Sequence, residues 1–298
     1  MPTRANTTTR PSSPSLPREP VPAVPVSKGV LRPEELARHV AFDECAPTPA
    51  VARWVERIWS VAWDLPPGLE HVSSVVPHPS INLTVERGAG RREGATVPGV
   101  WVTGVVTRRF DVSCHRDGGA IGVKFHPGGF AALTGHAAAD LTDRVLAATD
   151  LLPGAADLAG LSGSAREAAP VLCAYVGSFA ARHPAGPATD HAYDAVTAIV
   201  RDLSDPSLTR VDDLAERAGL SVRGLQRLLR RYVGVGPKWL LVRRRLHDAV
   251  AELDAGYDGS LADLAAELGW YDQNQFTRDF TALVGTPPGA YRDRPRPS

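Results

Sequence analysis

Apolar residues follow two rhythms along this chain, and the change between them divides it. From about Val51 to Pro127 they fall in short β-branched and aromatic runs broken by Gly and Pro: WVERIWSVAWDL, HVSSVVPHPSINLTVERG, GVWVTGVVTRRFDVSC and AIGVKFHP. Such runs predict the strands of an antiparallel, barrel-like or sandwich domain. At FHPGGFAALTG the spacing turns helical, and it predicts helices over residues 138–150 and 166–182. Strands first and helices second predict an α+β fold: a β-rich, barrel-like domain with trailing helices over residues 28–186, then an all-α domain over 187–298. The stretch HPAGPAT (183–189) reads as the linker, after which Tyr193, Val196, Ile199, Val200 and Leu203 form one apolar stripe. Residues 1–27 are rich in Pro, Ser and Thr and have little to bury, which predicts a disordered tail; a short helix is expected over 33–40.

The helical part repeats itself. LAERAGLSVRGLQRLLRRYVG begins at Leu214 and LAAELGWYDQNQFTRDFTALVG at Leu264, so that Leu214 matches Leu264, Gly219 matches Gly269, Leu225 matches Phe276 and Gly234 matches Gly285. One unit is used twice. Thr209 with Asp212, and Ser260 with Asp263, have capping-box spacing. Gly219 and Gly269 stand where a first helix must end in a left-handed residue, and Ser221 and Asp272 where a second helix needs its N-cap. Each copy therefore predicts a helix-turn-helix. In the first, Leu225, Leu228, Leu229 and Tyr232 share one face while Arg223, Gln226, Arg227 and Arg230 share the other. In the second, Phe276, Phe280 and Leu283 point inward while Asn274, Arg278 and Thr281 point out. Arg, Gln and Asn are side chains that can form paired hydrogen bonds with purine edges in the major groove.

The last hundred or so residues resemble the DNA-binding domain of AraC-type (AraC/XylS) transcriptional regulators, two helix-turn-helix units joined by a linker helix. GWYDQNQFTRDFTALVGTPPGAYR carries the more specific likeness, and PKWLLVRRRLHDAVAEL (237–253) resembles the linker helix, with Arg245, Leu246 and Ala249 at its characteristic positions. VVPHPSINLTV, VTGVV and FHPGGF resemble, more loosely, a sensor module of small β-barrel character found ahead of some actinobacterial regulators of this type. The resemblance implies a transcription regulator that binds double-stranded DNA, with a small-molecule effector, RNA polymerase and a second copy as further partners. Pairing of copies is expected through the helix at 166–182.

Charge qualifies this picture. The formal net charge is zero, so the whole-chain balance gives no argument for nucleic acid. Its distribution does: residues 217–245 hold nine cations and no acid, whereas 252–279 hold seven acids against Arg278 alone, which places the electrostatic footprint on the first unit and the linker. Arg223, Gln226 and Arg227, with Gln273, Asn274 and Arg278, are the candidates for base edges. Arg230, Arg231, Lys238 and Arg243 are the candidates for phosphates, which position without reading sequence. Gly224 inside the first reading helix should cost about 1 kcal/mol relative to Ala. Asp279 adds a negative charge to the second.

The three cysteines at 45, 114 and 173 show no disulfide or metal-knuckle spacing, and no apolar run approaches the roughly 20 residues that span a bilayer. With no signal peptide visible, a cytoplasmic protein without cofactor is expected. His71, His78, His115, His126 and His136 are the candidate ligands or acid–base groups, but no two have ligand spacing on one expected element, so neither a metal nor a catalytic set is expected. His78, Asn82 and His126 are the candidate polar groups of an effector pocket, with Trp63 and Trp101 as walls; His126 also fits a plain turn with Pro127, Gly128 and Gly129. Cys114 beside His115 and Arg116 is either a redox-active thiol or an inert buried one. The competing function is a DNA-targeted enzyme or repair protein, which would need a nucleophile or metal cluster in the N-terminal domain.

Overall fold

The computed structural model describes residues 40–75, 78–91, 94–184 and 186–294. The tail at 1–27 lies outside them, as does the expected 33–40 helix except for Val40, which opens a strand.

Among the described residues, seven antiparallel strands make one sheet: β1 (Val40–Cys45), β2 (Val55–Asp64), β3 (Glu70–Val75), β4 (Asn82–Arg91), β5 (Gly99–Thr103), β6 (Phe110–Phe125) and β7 (Val145–Ala147). Their order is β1-β2-β6-β4-β5-β7, with β3 also paired to β6. The 16-residue β6 is the spine. β2 pairs with its second half and β3 with its first. Between them β6 bulges: Gly88 of β4 faces Gly118 but the next residue, Ala89, faces His115, which leaves Arg116 and Asp117 unmatched on that side. Arg116 takes a positive φ of 51° there, and its carbonyl accepts from the Leu65 amide (2.7 Å), anchoring the β2–β3 turn. An added residue bends a strand and raises its twist. The apolar runs do not predict either end strand, because VAFDEC carries two acids and VLA is only three residues long.

The helix expected at 138–150 is instead two 3-10 turns, Ala138–Asp140 and Ala148–Asp150, on either side of β7. Asp143 breaks it by adopting φ 57°, and its carboxylate accepts from the Thr107 amide (2.7 Å) and hydroxyl (2.6 Å). Nine α-helices follow among the described residues: α1 (Gly129–Thr134), α2 (Ala165–Arg182), α3 (Pro187–Asp202), α4 (Val211–Arg217), α5 (Val222–Tyr232), α6 (Pro237–Ala255), α7 (Leu261–Glu267), α8 (Gln273–Val284) and α9 (Pro288–Arg292). None is long and apolar enough to cross a membrane. A full capping box of Ser164 and Glu167 starts α2, and Ser60 on β2 accepts from its Ala165 amide (2.9 Å), docking it on the sheet.

Burial does not break at the segment that connects the two expected domains. One continuous core runs from Ile58, Leu83, Ile121 and Phe125 of the sheet through Phe130 and Leu172 to Tyr193, Val196, Leu225, Leu229 and Leu241. A second, separate core holds Leu246, Ala249, Leu253, Leu264, Phe276, Phe280 and Tyr291. The handover falls inside the single helix α6.

Candidate nucleic-acid interface

Both helix pairs form as their local chemistry dictates. Gly219 (φ 64°) and Gly269 (φ 85°) end α4 and α7 in the left-handed conformation, where a side chain would be strained. Ser221 Oγ accepts from the Gly224 amide (3.1 Å) and Asp272 Oδ1 from the Gln275 amide (2.7 Å), capping α5 and α8. Ser260 caps α7 through the Asp263 amide (3.0 Å). Thr209 does not cap α4, whose N-cap is Arg210; the Thr209 methyl lies against Gly269, so packing between the two units overrides the local motif.

Matched positions of the repeat fill matched holes: Leu225 and Phe276, like Leu229 and Phe280, are fully buried. The opposite faces are bare. Arg223, Gln226, Arg227 and Arg230 on α5 are exposed, as are Gln273, Asn274 and Arg278 on α8, and Lys238 at the start of α6. Tyr271, one residue before the Asp272 cap, is 93% exposed. The apolar-stripe reading gives it no role, and it stands bare beside the N-terminal end of α8.

Two of the phosphate candidates differ. Arg231 donates to the Gly135 carbonyl (2.6 Å) just after α1. Arg243 is half-buried; burial pulls its guanidinium down to about 10, opposed by the Glu56 carboxylate of β2. A half-buried guanidinium offers a phosphate less surface than the exposed Arg230 does. Its neighbours are also engaged: Arg244 pairs with Asp248 (3.2 Å), and Arg245, 8% exposed, donates to the Gly269 carbonyl and lies 4.8 Å from the Trp270 ring centroid. Arg217 pairs with Asp205 (2.6 Å). The footprint therefore narrows to the outer face of α5 and Lys238, and the linker cations serve packing. Asp279 is no bare charge on α8, since it accepts from Trp270 Nε1 (2.9 Å).

The sheet domain touches both units. Thr142 Oγ1 donates to the Gly234 carbonyl (2.9 Å) at the end of α5, and Arg109 lies so close to Gly285, the C-cap of α8, that a Cβ there would overlap its guanidinium. His78 faces His247 of α6, ring centroids 5.4 Å apart.

Of the three expected pocket groups, Asn82 lines a cavity whose walls do not include His78 or His126. Asn82 lines a cavity of about 140 Å³ on the sheet with Trp59, Val61, Trp63, Thr84, Glu86 and Thr103. His78 sits at the α6 contact, and His126 belongs to a turn, its carbonyl accepting from the Gly129 amide (2.8 Å) and its amide donating to the Trp54 carbonyl (2.8 Å). Burial holds the His126 imidazole below its usual value. Trp63 is a wall of the cavity; Trp101 covers Gly99 instead. Cys114 is buried and its thiol is pushed up to about 11, the inert alternative. Among the described residues no three His, Cys, Asp or Glu side chains cluster as a metal site would require.

Residues 43–147 match a family described as a domain of unknown function (DUF6597), and residues 214–294 match a family described as a helix-turn-helix domain. The chain is 34% identical over 85 residues to a putative AraC-like transcription regulator of Streptomyces lividans, and 32% identical over 82 residues to the HTH-type transcriptional activator AarP of Providencia stuartii. Each match takes 28% of this chain and covers 28% of the first relative and 60% of the second. Among solved structures, a probable AraC family transcriptional regulator from Rhodopseudomonas palustris matches 35% of this chain and 99% of its own at 25% identity and a TM-score of 0.32. ToxT from Vibrio cholerae matches 79% of this chain and 97% of its own at 11% identity and a TM-score of 0.39.

Proposed function

We propose that this chain, whose residues 214–294 form an AraC-type helix-turn-helix region, is a sequence-specific DNA-binding regulator of transcription, controlled by a small molecule held in its sheet domain. One observation carries the DNA reading: all six side chains expected to meet base edges are exposed on the outer faces of α5 and α8, while the repeat's matched apolar positions are buried beneath them. Two such helices can enter successive major grooves on one side of the duplex, about 34 Å apart, so that one chain reads a non-palindromic site. Arg223, Gln226 and Arg227 of α5, and Gln273, Asn274 and Arg278 of α8, read bases. Arg230 and Lys238 hold phosphates.

Effector control is supported by the cavity on the sheet and by the sheet domain's contacts with both reading units. A ligand changes DNA binding only through a difference in its affinity for the two arrangements it connects. RNA polymerase is the partner through which the regulator acts, and a second copy pairs through α2. The role is non-enzymatic. A gel-shift titration against salt, on duplexes selected from a random pool, tests the reading: one tight site should persist while bulk binding falls away. Binding that declines equally for every duplex, or none at all, would refute it.

A further inference from the structure

The two helix pairs differ by one residue in the turn. Gly219 matches Gly269 and the cap Ser221 matches the cap Asp272, yet one residue separates glycine from cap in the first unit and two do so in the second. Hydrogen bonding shows which is extra. The Leu220 amide donates to the Ala215 carbonyl (3.0 Å) and the Trp270 amide to the Ala265 carbonyl (2.8 Å), so Leu220 and Trp270 hold the same place. Tyr271 is the addition.

Its backbone is fixed on both sides while its side chain is bare. Trp270, 5% exposed, packs on Phe276 (ring centroids 4.9 Å apart), donates from Nε1 to Asp279 (2.9 Å) and carries Arg245 over its face. Asp272 is held by its capping bond from the Gln275 amide (2.7 Å). Single exposed apolar residues are ordinary on a protein surface. Leu69, Val72 and Val171, the other large ones among the described residues, nevertheless keep at least half of their surface covered, whereas Tyr271 is 93% exposed. An inserted ring that buries so little adds almost nothing to the fold.

We propose that Tyr271 reads DNA for the second unit, laying its ring on the C5-methyl group of a thymine in the major groove. This rests on the DNA-binding reading, and it adds to the six base-edge candidates one that works without charge or paired hydrogen bonds. In a helix-turn-helix the leading residues of the second helix meet the bases. Tyr271 lies two residues ahead of Gln273, so their Cα atoms are within about 8 Å of each other. An aromatic ring suits a thymine methyl, and with two rotatable side-chain bonds it loses little freedom on contact. Arg278 is the one basic residue of α8, so this unit gains most from a contact that needs no cation.

The experiment selects a duplex from a random pool with the unaltered full chain, then replaces each thymine of the selected site in turn with uracil, which removes only the methyl group. One replacement should weaken binding about fourfold, the worth of one buried methyl. Tyr271→Ala should weaken binding to the thymine duplex about tenfold and make that replacement silent, while Tyr271→Phe keeps both the affinity and the sensitivity. The slope of log K against log[salt] should be the same in all three chains, because no cation is lost. Unchanged affinity in Tyr271→Ala, no thymine whose replacement matters, a uracil effect that persists without the ring, a Tyr271→Phe loss equal to that of Tyr271→Ala, or a lowered salt slope would each overturn the proposal. Tyr271→Ser supplies the truncation if the alanine chain does not fold. A chain that selects no duplex at all fails the DNA-binding reading itself, whereas one that selects a duplex and ignores Tyr271 fails this assignment alone.

Discussion

The Arg231 guanidinium donates to the Gly135 carbonyl across 96 positions of sequence, so a cation on the first reading helix fastens that helix to the end of α1. Arg230, its neighbour, remains exposed. The two arginines should therefore separate in a salt titration. Arg230→Ala should lower the slope of log K against log[salt] by about 1, as loss of one phosphate contact does. Arg231→Ala should leave that slope unchanged and lower the melting temperature instead. Equal slopes for the two variants would contradict this assignment.

The outer face of α5 carries three arginines, at 223, 227 and 230, where the matched face of α8 carries Asn274, Arg278 and the half-buried Thr281. The first unit should supply more binding free energy. Arg227→Ala is expected to weaken operator binding more than Arg278→Ala at the same salt, each by about 1–3 kcal/mol. Tyr271→Ala should weaken binding without lowering the melting temperature, because a residue 93% exposed contributes nothing to the core. Gel shifts and thermal melts on the same preparations check all three.

Arg245 is the charged residue most deeply set in α6, with Gly269 and Trp270 of the second unit as its partners. Arg245→Ala would leave that carbonyl without its donor and remove a cation from an indole face, a loss of roughly 2–4 kcal/mol. The expected result is early melting of the second unit, read from the fluorescence of Trp270, while the sheet holds. Arg245→Lys should rescue little, since an ammonium lacks the planar fork.

Burial pushes the Cys114 thiol up to about 11 from an ordinary value near 9. The thiol form is favoured by folding, so at pH 8 the reactive thiolate is rarer at Cys114 than in an exposed cysteine. Site-resolved labelling by a thiol reagent should be slow there at pH 8 and accelerate only as the pH approaches 11 or the chain unfolds. Rapid labelling of native Cys114 at pH 8 would restore the redox alternative.

Local chemistry was legible in the sequence, and distant partners were not. Ser221, Asp272, Gly219 and Gly269 act within a few residues of themselves, and each is found doing what its spacing predicts. Counting charges along a helix treats every cation as outward, which holds for Arg223 and Arg227 but not for the half-buried Arg243 or for Arg245, set against Gly269. No periodicity within α6 announces that neighbours pack on several of its sides. Likewise Asn82 identifies the cavity because it lies on a strand beside Trp59, whereas His78 and His126 lie beyond strand ends, where the chain's course decides their company. The 138–150 segment was misread because its apolar spacing fits a helix, while Asp143 takes a backbone conformation that no helix contains.

Because Ile58 of the sheet and Leu241 of α6 belong to one packed body, while Leu246 five residues on belongs to another, the first reader cannot turn without carrying the sheet with it. The second reader has a core of its own and meets the sheet domain at narrower contacts, such as Arg109 against Gly285, so α6 between residues 242 and 245 and those contacts together set its attitude, like the far arm of a pair of compasses. The angle between those arms sets which spacing of base pairs both readers can straddle at once. A molecule that stiffens or tilts the sheet would in that case alter the span of DNA the protein accepts before it altered any single base contact.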